Sequence, residues 1–394
     1  MTERADQTTG NQIAGRELRR DVFLPFLASR LVLILFGYLA QVFPYYFNYP
    51  TDKKNLEIGW EFISWKWIDF WGRWDTAWYL NIIDYGYVFQ GDPAMVKSNI
   101  AFYPLYPYVV KTLAHLLPIA PGHPAYLIIG LVIANLAALT ALSLIYKLAL
   151  HYIRDRKSAK YTIWLMLAFP SGFILSCFYT ESMFLCLAAA SLWFGSRQKW
   201  AFACLCIMFA AITRPIGLGL GAPLAYLYME ARNWDFRKIR PDVLWFLITP
   251  LLYIGFLYHI ELISGDFLTT FQVQQAWDRH FSMPWKTLIN PYGWNLYHTP
   301  IQQLITLIVF YGVYLAFRHL PSKALPLMVI VILLPIFFTG RLSSCIRYYL
   351  MAFPVFMAYA VWLQKDQYRW TLLIAAGLLQ LVYFMGWARF YWIM

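Results

Sequence analysis

The stretch Tyr103-Pro104-Leu105-Tyr106-Pro107-Tyr108-Val109-Val110-Lys111-Thr112-Leu113-Ala114-His115-Leu116-Leu117-Pro118 decides how the rest of the chain is threaded. If it crosses a membrane, the basic cluster that follows (Arg154, Arg156, Lys157, Lys160) falls outside the cell. The excess of Lys and Arg expected in cytoplasmic loops then fails at nearly every later loop. If it lies along the external surface as an amphipathic helix, that excess holds throughout. The run is short for a span, and Lys111 and His115 oppose burial in hydrocarbon. A surface helix is therefore the expectation.

Composition supplies the membrane frame. The chain has 394 residues, 60% hydrophobic, 20% aromatic and only 13% charged, about half the charged fraction of a soluble domain, which is roughly 25%. This describes an all-α polytopic membrane protein. A net charge of +12 raises the question of nucleic acid. The basic residues, however, lie in short clusters between apolar runs, as cytoplasmic loops do, so no nucleic-acid partner is expected and membrane lipids are. Cys177, Cys186, Cys204, Cys206 and Cys345 sit in or beside apolar segments without metal-ligand spacing and read as small buried hydrophobes.

The polar N-terminus carries four arginines up to Arg19-Arg20 and no cleavage site, which places it in the cytoplasm ahead of an uncleaved first span at 22–47. Arg30 in that span reads as a snorkelling side chain. Residues 48–122, rich in Trp and Tyr and broken by prolines, form a large external loop. Further spans are expected at 124–149, 159–179, 181–196, 199–213, 215–230 and 242–263. After a second external loop at 264–300 come 301–318, 324–340, 347–364 and 370–386. That makes about eleven transmembrane helices in a single domain over 1–394, with the C-terminal helices in 301–394. The short external segments then carry only Arg214, Arg341, Arg347 and Arg389 as basic residues, which makes these four conspicuous.

Within the first loop, Trp71-Gly72-Arg73-Trp74-Asp75-Thr76-Ala77-Trp78-Tyr79-Leu80-Asn81-Ile82-Ile83-Asp84-Tyr85-Gly86-Tyr87 reads as a helix ending at Gly86. Its spacing puts Trp71, Trp74, Asp75, Trp78 and Ile82 on one stripe, with Arg73 and Asp84 facing outward. A carboxylate inside an aromatic surface is poorly hydrated and poised to accept a proton. The plainer reading is a helix whose tryptophans anchor it at the membrane surface.

Other polar residues fall at the external ends of separate spans: Glu181, Arg214, Arg341 and Arg347, with Gln274, Gln275, Trp277 and Asp278 in the second loop. Charges near hydrocarbon are costly unless paired or set in a wet cavity. They therefore suggest either one shared cavity or a structural lock such as Glu181 with Arg214. A carboxylate facing arginines suits transfer of a group from a lipid phosphate, the acid taking a proton from the acceptor hydroxyl and the arginines holding the departing phosphate. A transporter or lipid-carrier flippase is the alternative, and a non-catalytic assembly subunit a third. Gly217-x-Gly219-x-Gly221 inside a span reads as a close helix contact through Gly217 and Gly221. Asn135 reads as an interhelical hydrogen-bonding residue.

Several motifs, taken in order, resemble those of the GPI second-mannose transferases (PIG-V type) and their prokaryotic relatives. They are Arg73-Trp74-Asp75-x-x-Trp78-Tyr79-Leu80 with Gly86-Tyr87, and Asn99-x-Ala101-Phe102-Tyr103-Pro104-Leu105-Tyr106-Pro107. Phe169-Pro170-Ser171 with Tyr179-Thr180-Glu181-Ser182, and Thr213-Arg214-Pro215-x-Gly217, come next. Gly265-Asp266 through Gln275-x-Trp277 to Pro284-Trp285, and Arg347-Tyr348-x-Leu350 with Phe353-Pro354, complete the set. The resemblance implies a GT-C-type bundle whose first external loop carries the catalytic carboxylate on amphipathic helices along the membrane.

It also implies an inverting mannosyltransferase that takes mannose from a polyprenyl- or dolichyl-phosphate carrier and passes it to a hydroxyl of a lipid-linked or glycan acceptor. Asp75 would be the base. Arg347, with Arg214 and Arg341, would hold the phosphate, and Glu181, Gln275, Trp277, Trp74 and Trp78 would line the substrates. No Asp-x-Asp stands at Asp75, so a divalent metal is not implied, and no other cofactor is. The compact chain looks more like a prokaryotic relative than a GPI enzyme. The site would then face outward from a bacterial plasma membrane, or into the lumen of the ER if the source is eukaryotic.

Overall fold

Long apolar runs become long helices. In the computed structural model, His123–Ile153 is one helix of 31 residues, about 46 Å at 1.5 Å per residue and ample for a hydrocarbon layer of about 30 Å. Gly15–Val42, Pro241–Ser264, Thr299–His319 and Asp366–Ala388 are also long and apolar enough to cross a membrane. The structure describes residues 15–44, 56–89, 91–117, 122–291, 293–296 and 298–391, and among these every regular element is helical. The N-terminal tail before Gly15, the end of the first expected span, and the first-loop residues 45–55, 90 and 118–121 lie outside them. The chain is an integral membrane protein of helical class.

The remaining expected spans are shorter or interrupted. Glu181–Ser196, Trp200–Ala211 and Ala324–Phe337 are short apolar helices. The expected span at 347–364 is a bent pair, Cys345–Met351 and Pro354–Trp362, at 70° to one another. The span at 159–179 becomes the helix Arg156–Ala168 and a tighter turn at Gly172–Ser176, and that at 215–230 becomes a turn at Pro215–Leu220 leading into Gly221–Glu230. Proline stands at two of these interruptions, Pro170 and Pro354, and opens the tight turn of the third at Pro215; each lacks the N–H needed to continue the ladder.

His123–Ile153 packs on Glu181–Ser196, which packs on Trp200–Ala211. Asp366–Ala388 packs on the first helix and on Arg156–Ala168, and Thr299–His319 on Pro354–Trp362. The stretch that decides the threading forms Leu105–Leu116, a helix of 12 residues. At about 18 Å it is too short to span. It buries Tyr106, Val110 and Ala114 along one stripe, as an amphipathic surface helix should.

Local differences from the sequence reading have local causes. The helix expected from Trp71 begins only at Thr76 and runs to Tyr85, ending at Gly86. Trp74 has a φ of 52°, a left-handed conformation that no helical stripe accommodates. Trp71 and Trp74 therefore do not share a helical face with Asp75. Arg73, expected outside, is 1% exposed: it pairs with the Asp69 carboxylate at 2.9 Å, donates to the carbonyls of Asp69 and Gly72 at 2.6 Å each, and lies 4.3 Å from the Phe390 ring centre.

Arg30 does not snorkel. It is buried, donates to Ser176 Oγ at 2.8 Å and lies over Phe26. Asn135 accepts a hydrogen bond from Ser176 Oγ at 2.5 Å, joining two helical segments as expected. The close glycine contact is made by Gly217 and Gly219 rather than Gly221: a Cβ on Gly217 would sit 2.4 Å from the Ala210 carbonyl carbon and one on Gly219 2.4 Å from Val331, whereas Gly221 faces open space. All five cysteines are free and at least partly buried.

Candidate active site

The chain breaks described above converge. Asp75 stands at the N-cap position of the helix Thr76–Tyr85, and its backbone is fixed from across the bundle. Its N–H donates to Tyr179 Oη at 3.0 Å, and that hydroxyl donates to the Arg73 carbonyl at 3.1 Å. Tyr179 thus pins the loop that carries Asp75 to the segment that carries Glu181.

The side chains form a chain of alternating charge. Arg347 Nη1 lies 2.8 Å from Asp75 Oδ2 and 3.3 Å from Glu181 Oε1, and Arg214 Nη1 lies 2.7 Å from Glu181 Oε1. Side-chain exposure falls from 22% at Asp75 to 10% and 11% at Arg347 and Arg214 and to 0% at Glu181. A fully buried carboxylate is tolerable here because two guanidiniums face it, and because as the first residue of its helix it meets the positive end of the helix dipole. Arg214 lies 4.6 Å from the Tyr348 ring centre and Arg347 5.2 Å from that of Tyr179. Two atoms of the set, Glu181 Oε2 and Arg347 Nε, are buried and lack a hydrogen-bond partner. The network holds unused hydrogen-bonding capacity.

This network borders a cavity of about 410 Å³ lined by Trp74, Asp75, Trp78, Tyr103, Thr180, Arg214, Gln274, Trp277, Arg279, Arg341, Arg347 and Tyr348, among others. Four arginines and Lys97 face it against two carboxylates, Asp75 and Glu57, so its field favours an anion. One wall is aromatic: Trp78 stacks on Phe102 with centroids 5.7 Å apart, and Trp277 meets Trp78 and Phe102 edge-on at 5.6 and 5.9 Å. Behind it, burial first and then the Glu181 and Asp75 carboxylates push the Tyr79 phenol above its ordinary range, so it stays protonated beside Thr180 Oγ1 at 3.3 Å.

Of the residues singled out in the sequence, Asp75, Trp74, Trp78, Arg214, Arg341, Arg347 and Trp277 line the cavity, and Glu181 lies directly beneath it. Gln275 is exposed, and its neighbour Gln274 faces the cavity instead. The tight turn Val273–Trp277 rotates side chains by about 120° per residue. Arg341 pairs with Asp278 at 3.0 Å. Sequence reasoning passed over Arg279 and the Tyr179 pin. Arg279 stands two residues after Trp277, which was a usable signal, whereas nothing in the sequence marks Tyr179 as a long-range donor. Among the described residues no three His, Cys, Asp or Glu side chains are grouped to hold a metal.

A second groove, about 550 Å³ and apolar, runs between Leu105–Leu116 and Pro241–Ser264, lined by Leu105, Tyr108, Leu113, Leu252 and Phe256. It shares a wall with the charged cavity. Pro104 and Ile212 face the groove, while their chain neighbours Tyr103 and Thr213 face the cavity, and Leu105 N–H donates to the Ile212 carbonyl at 3.1 Å.

Among solved structures, the chain is similar to ArnT from Cupriavidus metallidurans, described in a form bound to undecaprenyl phosphate. The identity is 14% and the TM-score 0.53, over 90% of this chain and 62% of that one. It is also similar to the Archaeoglobus fulgidus oligosaccharyltransferase in its apo form, at 11% identity and a TM-score of 0.51, over 93% of this chain and 56% of that one. The chain thus spans about three fifths of the length of these proteins. At such identities the likeness concerns the fold alone. No protein-family model matches the chain, and no curated protein sequence does.

Proposed function

We propose that this protein is a membrane glycosyltransferase that uses a polyprenyl- or dolichyl-phosphate sugar, with mannose as the sugar, and transfers it with inversion to a hydroxyl of a lipid-linked or glycan acceptor. The observation that carries the reading is the Asp75–Arg347 contact at 2.8 Å in a cavity with four arginines and an apolar groove along one wall. The groove takes the isoprenoid chain, and the arginines take the phosphate. The donor is a phosphodiester of charge −1, and its phosphate leaves at −2. Asp75 removes the acceptor's proton as the hydroxyl oxygen bonds to the anomeric carbon, and the carbon–oxygen bond to phosphate breaks with its electron pair on the phosphate. The carboxylate loses one negative charge while the leaving group gains one, so the pocket's total charge is constant through the step.

Arg347 has two tasks in this scheme. In the free site it neutralises Asp75. When the donor phosphate arrives Arg347 turns toward it, as charge begins to build on its oxygens, and Asp75 becomes free to bind the acceptor hydroxyl. Chemistry then follows donor binding in order. Arg214 stays anchored by the buried Glu181 and stabilises the charge that builds on the phosphate. The cavity would face the outside of a bacterial plasma membrane, or the lumen of the ER in a eukaryote.

The test is to incubate membranes containing the protein with labelled polyprenyl-phosphate-mannose and to identify the product by mass. A product carrying the label in wild type and absent with Arg347→Ala is expected. Full transfer by Asp75→Asn would remove the assignment of the base.

A further inference from the structure

Beside the charged cavity lies another of about 480 Å³. The two share a partition, the segment 277–282. Trp277 and Arg279 face the first cavity, whereas Asp278, His280, Phe281 and Ser282 face the second. Asp278, at φ 56°, ends the tight turn Val273–Trp277 and redirects the chain between the two cavities. The partition is fastened by its backbone, with His280 N–H donating to the Thr339 carbonyl at 3.1 Å and Ser282 N–H to the Phe338 carbonyl at 2.9 Å. Arg341 crosses it: Nη1 holds both the Trp277 carbonyl and Asp278 Oδ2 at 3.0 Å. Gly293, with φ 70°, lets the guanidinium lie against the backbone, since a Cβ there would come within 2.7 Å of Arg341 Nη2.

The chemistry of the second cavity differs from that of the first. Asp278, Ser282, Lys286 and Asn290 supply donors and acceptors, and Trp294, 47% exposed, supplies an aromatic face. The Asp278 carboxylate is already paired with Arg341, so Lys286 carries the one uncompensated charge of the lining. A lipid tail finds too many polar groups there, and a phosphate finds a single ammonium where the first cavity offers four guanidiniums. A pyranose fits both features: its hydroxyls both donate and accept, and its C–H face stacks on an indole.

We propose that this second cavity is a subsite for a neutral saccharide unit of the acceptor. The inference rests on the glycosyltransferase reading and names the acceptor class for it.

The experiment uses the full chain in lipid nanodiscs and follows binding of methyl α-mannoside, mannobiose and cellobiose by saturation-transfer NMR, with binding of undecaprenyl phosphate measured in parallel. At least one of these sugars is expected to bind. Trp294→Ala should weaken it by about tenfold or more, Trp294→Phe by no more than about threefold, and Asn290→Ala by an intermediate factor, with undecaprenyl phosphate affinity unchanged in all three. No sugar binding to the wild type, or binding indifferent to both alanine variants, overturns the subsite. Sugar binding as expected without undecaprenyl phosphate binding supports the subsite and instead defeats the lipid-phosphate donor. Because Trp294 is half-exposed, its removal opens no core, and Trp294→Phe controls for local collapse.

Discussion

Asp75→Asn should move donor affinity and turnover in opposite directions. The substitution keeps the shape of the side chain and removes its charge, so Arg347 loses a partner 2.8 Å away while retaining Glu181 at 3.3 Å. With the charge centres roughly 4 Å apart and an effective dielectric of about 20, the gross attraction lost is about 4 kcal/mol. Desolvation of the pair offsets most of it, leaving a net of about 1–2 kcal/mol for groups this buried. That sum no longer opposes the phosphate, so polyprenyl phosphate should bind about 5- to 30-fold more tightly to the variant.

Turnover should fall by about 10²- to 10⁴-fold, the range for removing a positioned general base. Equilibrium binding of undecaprenyl phosphate and single-turnover transfer, run on the same preparation, give the two numbers. Weaker phosphate binding by Asp75→Asn would show that Asp75 does not compete for Arg347, and the ordered scheme would fall even if turnover also dropped.

Glu181→Gln leaves two guanidiniums facing Asp75 alone, and a broken buried pair costs about 3–5 kcal/mol; the melting temperature in detergent should drop sharply, and an unchanged value would mean water reaches this site. Gly217→Ala places a Cβ against Ala210 backbone at 2.4 Å and should destabilise by roughly 1–3 kcal/mol, whereas Gly221→Ala, facing open space, should change stability by less than about 1 kcal/mol; equal effects in thermal melts would contradict the assigned packing. Asp155 caps the helix Arg156–Ala168, accepting from Ser158 N–H at 2.9 Å and Lys157 N–H at 3.2 Å; hydrogen bonding from the Ser158 side chain first, and then these backbone bonds, hold its carboxyl below the usual carboxylate range. A depressed carboxylate stabilises above its ordinary pKa of about 3.9 and loses that contribution as pH falls through its lower folded value. Asp155→Ala should therefore cost about 1 kcal/mol at neutral pH and nothing in strong acid, as read from melts at both.

The membrane class and the short surface helix were legible because each rests on a local property. Apolar run length marks the long helices, and among the described residues five of the eleven expected spans are long and apolar enough to cross a membrane; Lys111 and His115 mark Leu105–Leu116, a helix of only 12 residues. The set of charged residues was legible for a related reason: arginines are rare in the short external segments, so each one there stands out. What the sequence did not disclose depends on long-range partners. Arg73 looks outward on a helical wheel, but the backbone turns at Trp74 and delivers it to Asp69 and Phe390. Arg30 reads as a snorkelling side chain until Ser176, far along the sequence, is seen to receive it. Gln274 and Gln275 exchange roles because one residue of rotation in a tight turn decides which of them meets the cavity. The bend at Ala352–Pro354 was signalled by proline, but its size depends on what packs around it.

The location of the helix breaks and the location of the charges share one physical origin. Backbone freed from a helix inside a membrane must be buried in protein or face water, and an ionised side chain is under the same constraint. Thr180–Glu181, Thr213–Arg214 and Ser344–Arg347 each combine a break with a charge, and all three meet at the same cavity. Each break makes room for the next charge, and each pair of charges offsets the cost of the others' burial. A site assembled this way is rigid where Glu181 is fully enclosed and adjustable where Asp75 meets the cavity. Substrate phosphate can therefore exchange partners with Asp75 while the Glu181–Arg214 contact keeps the second guanidinium in place.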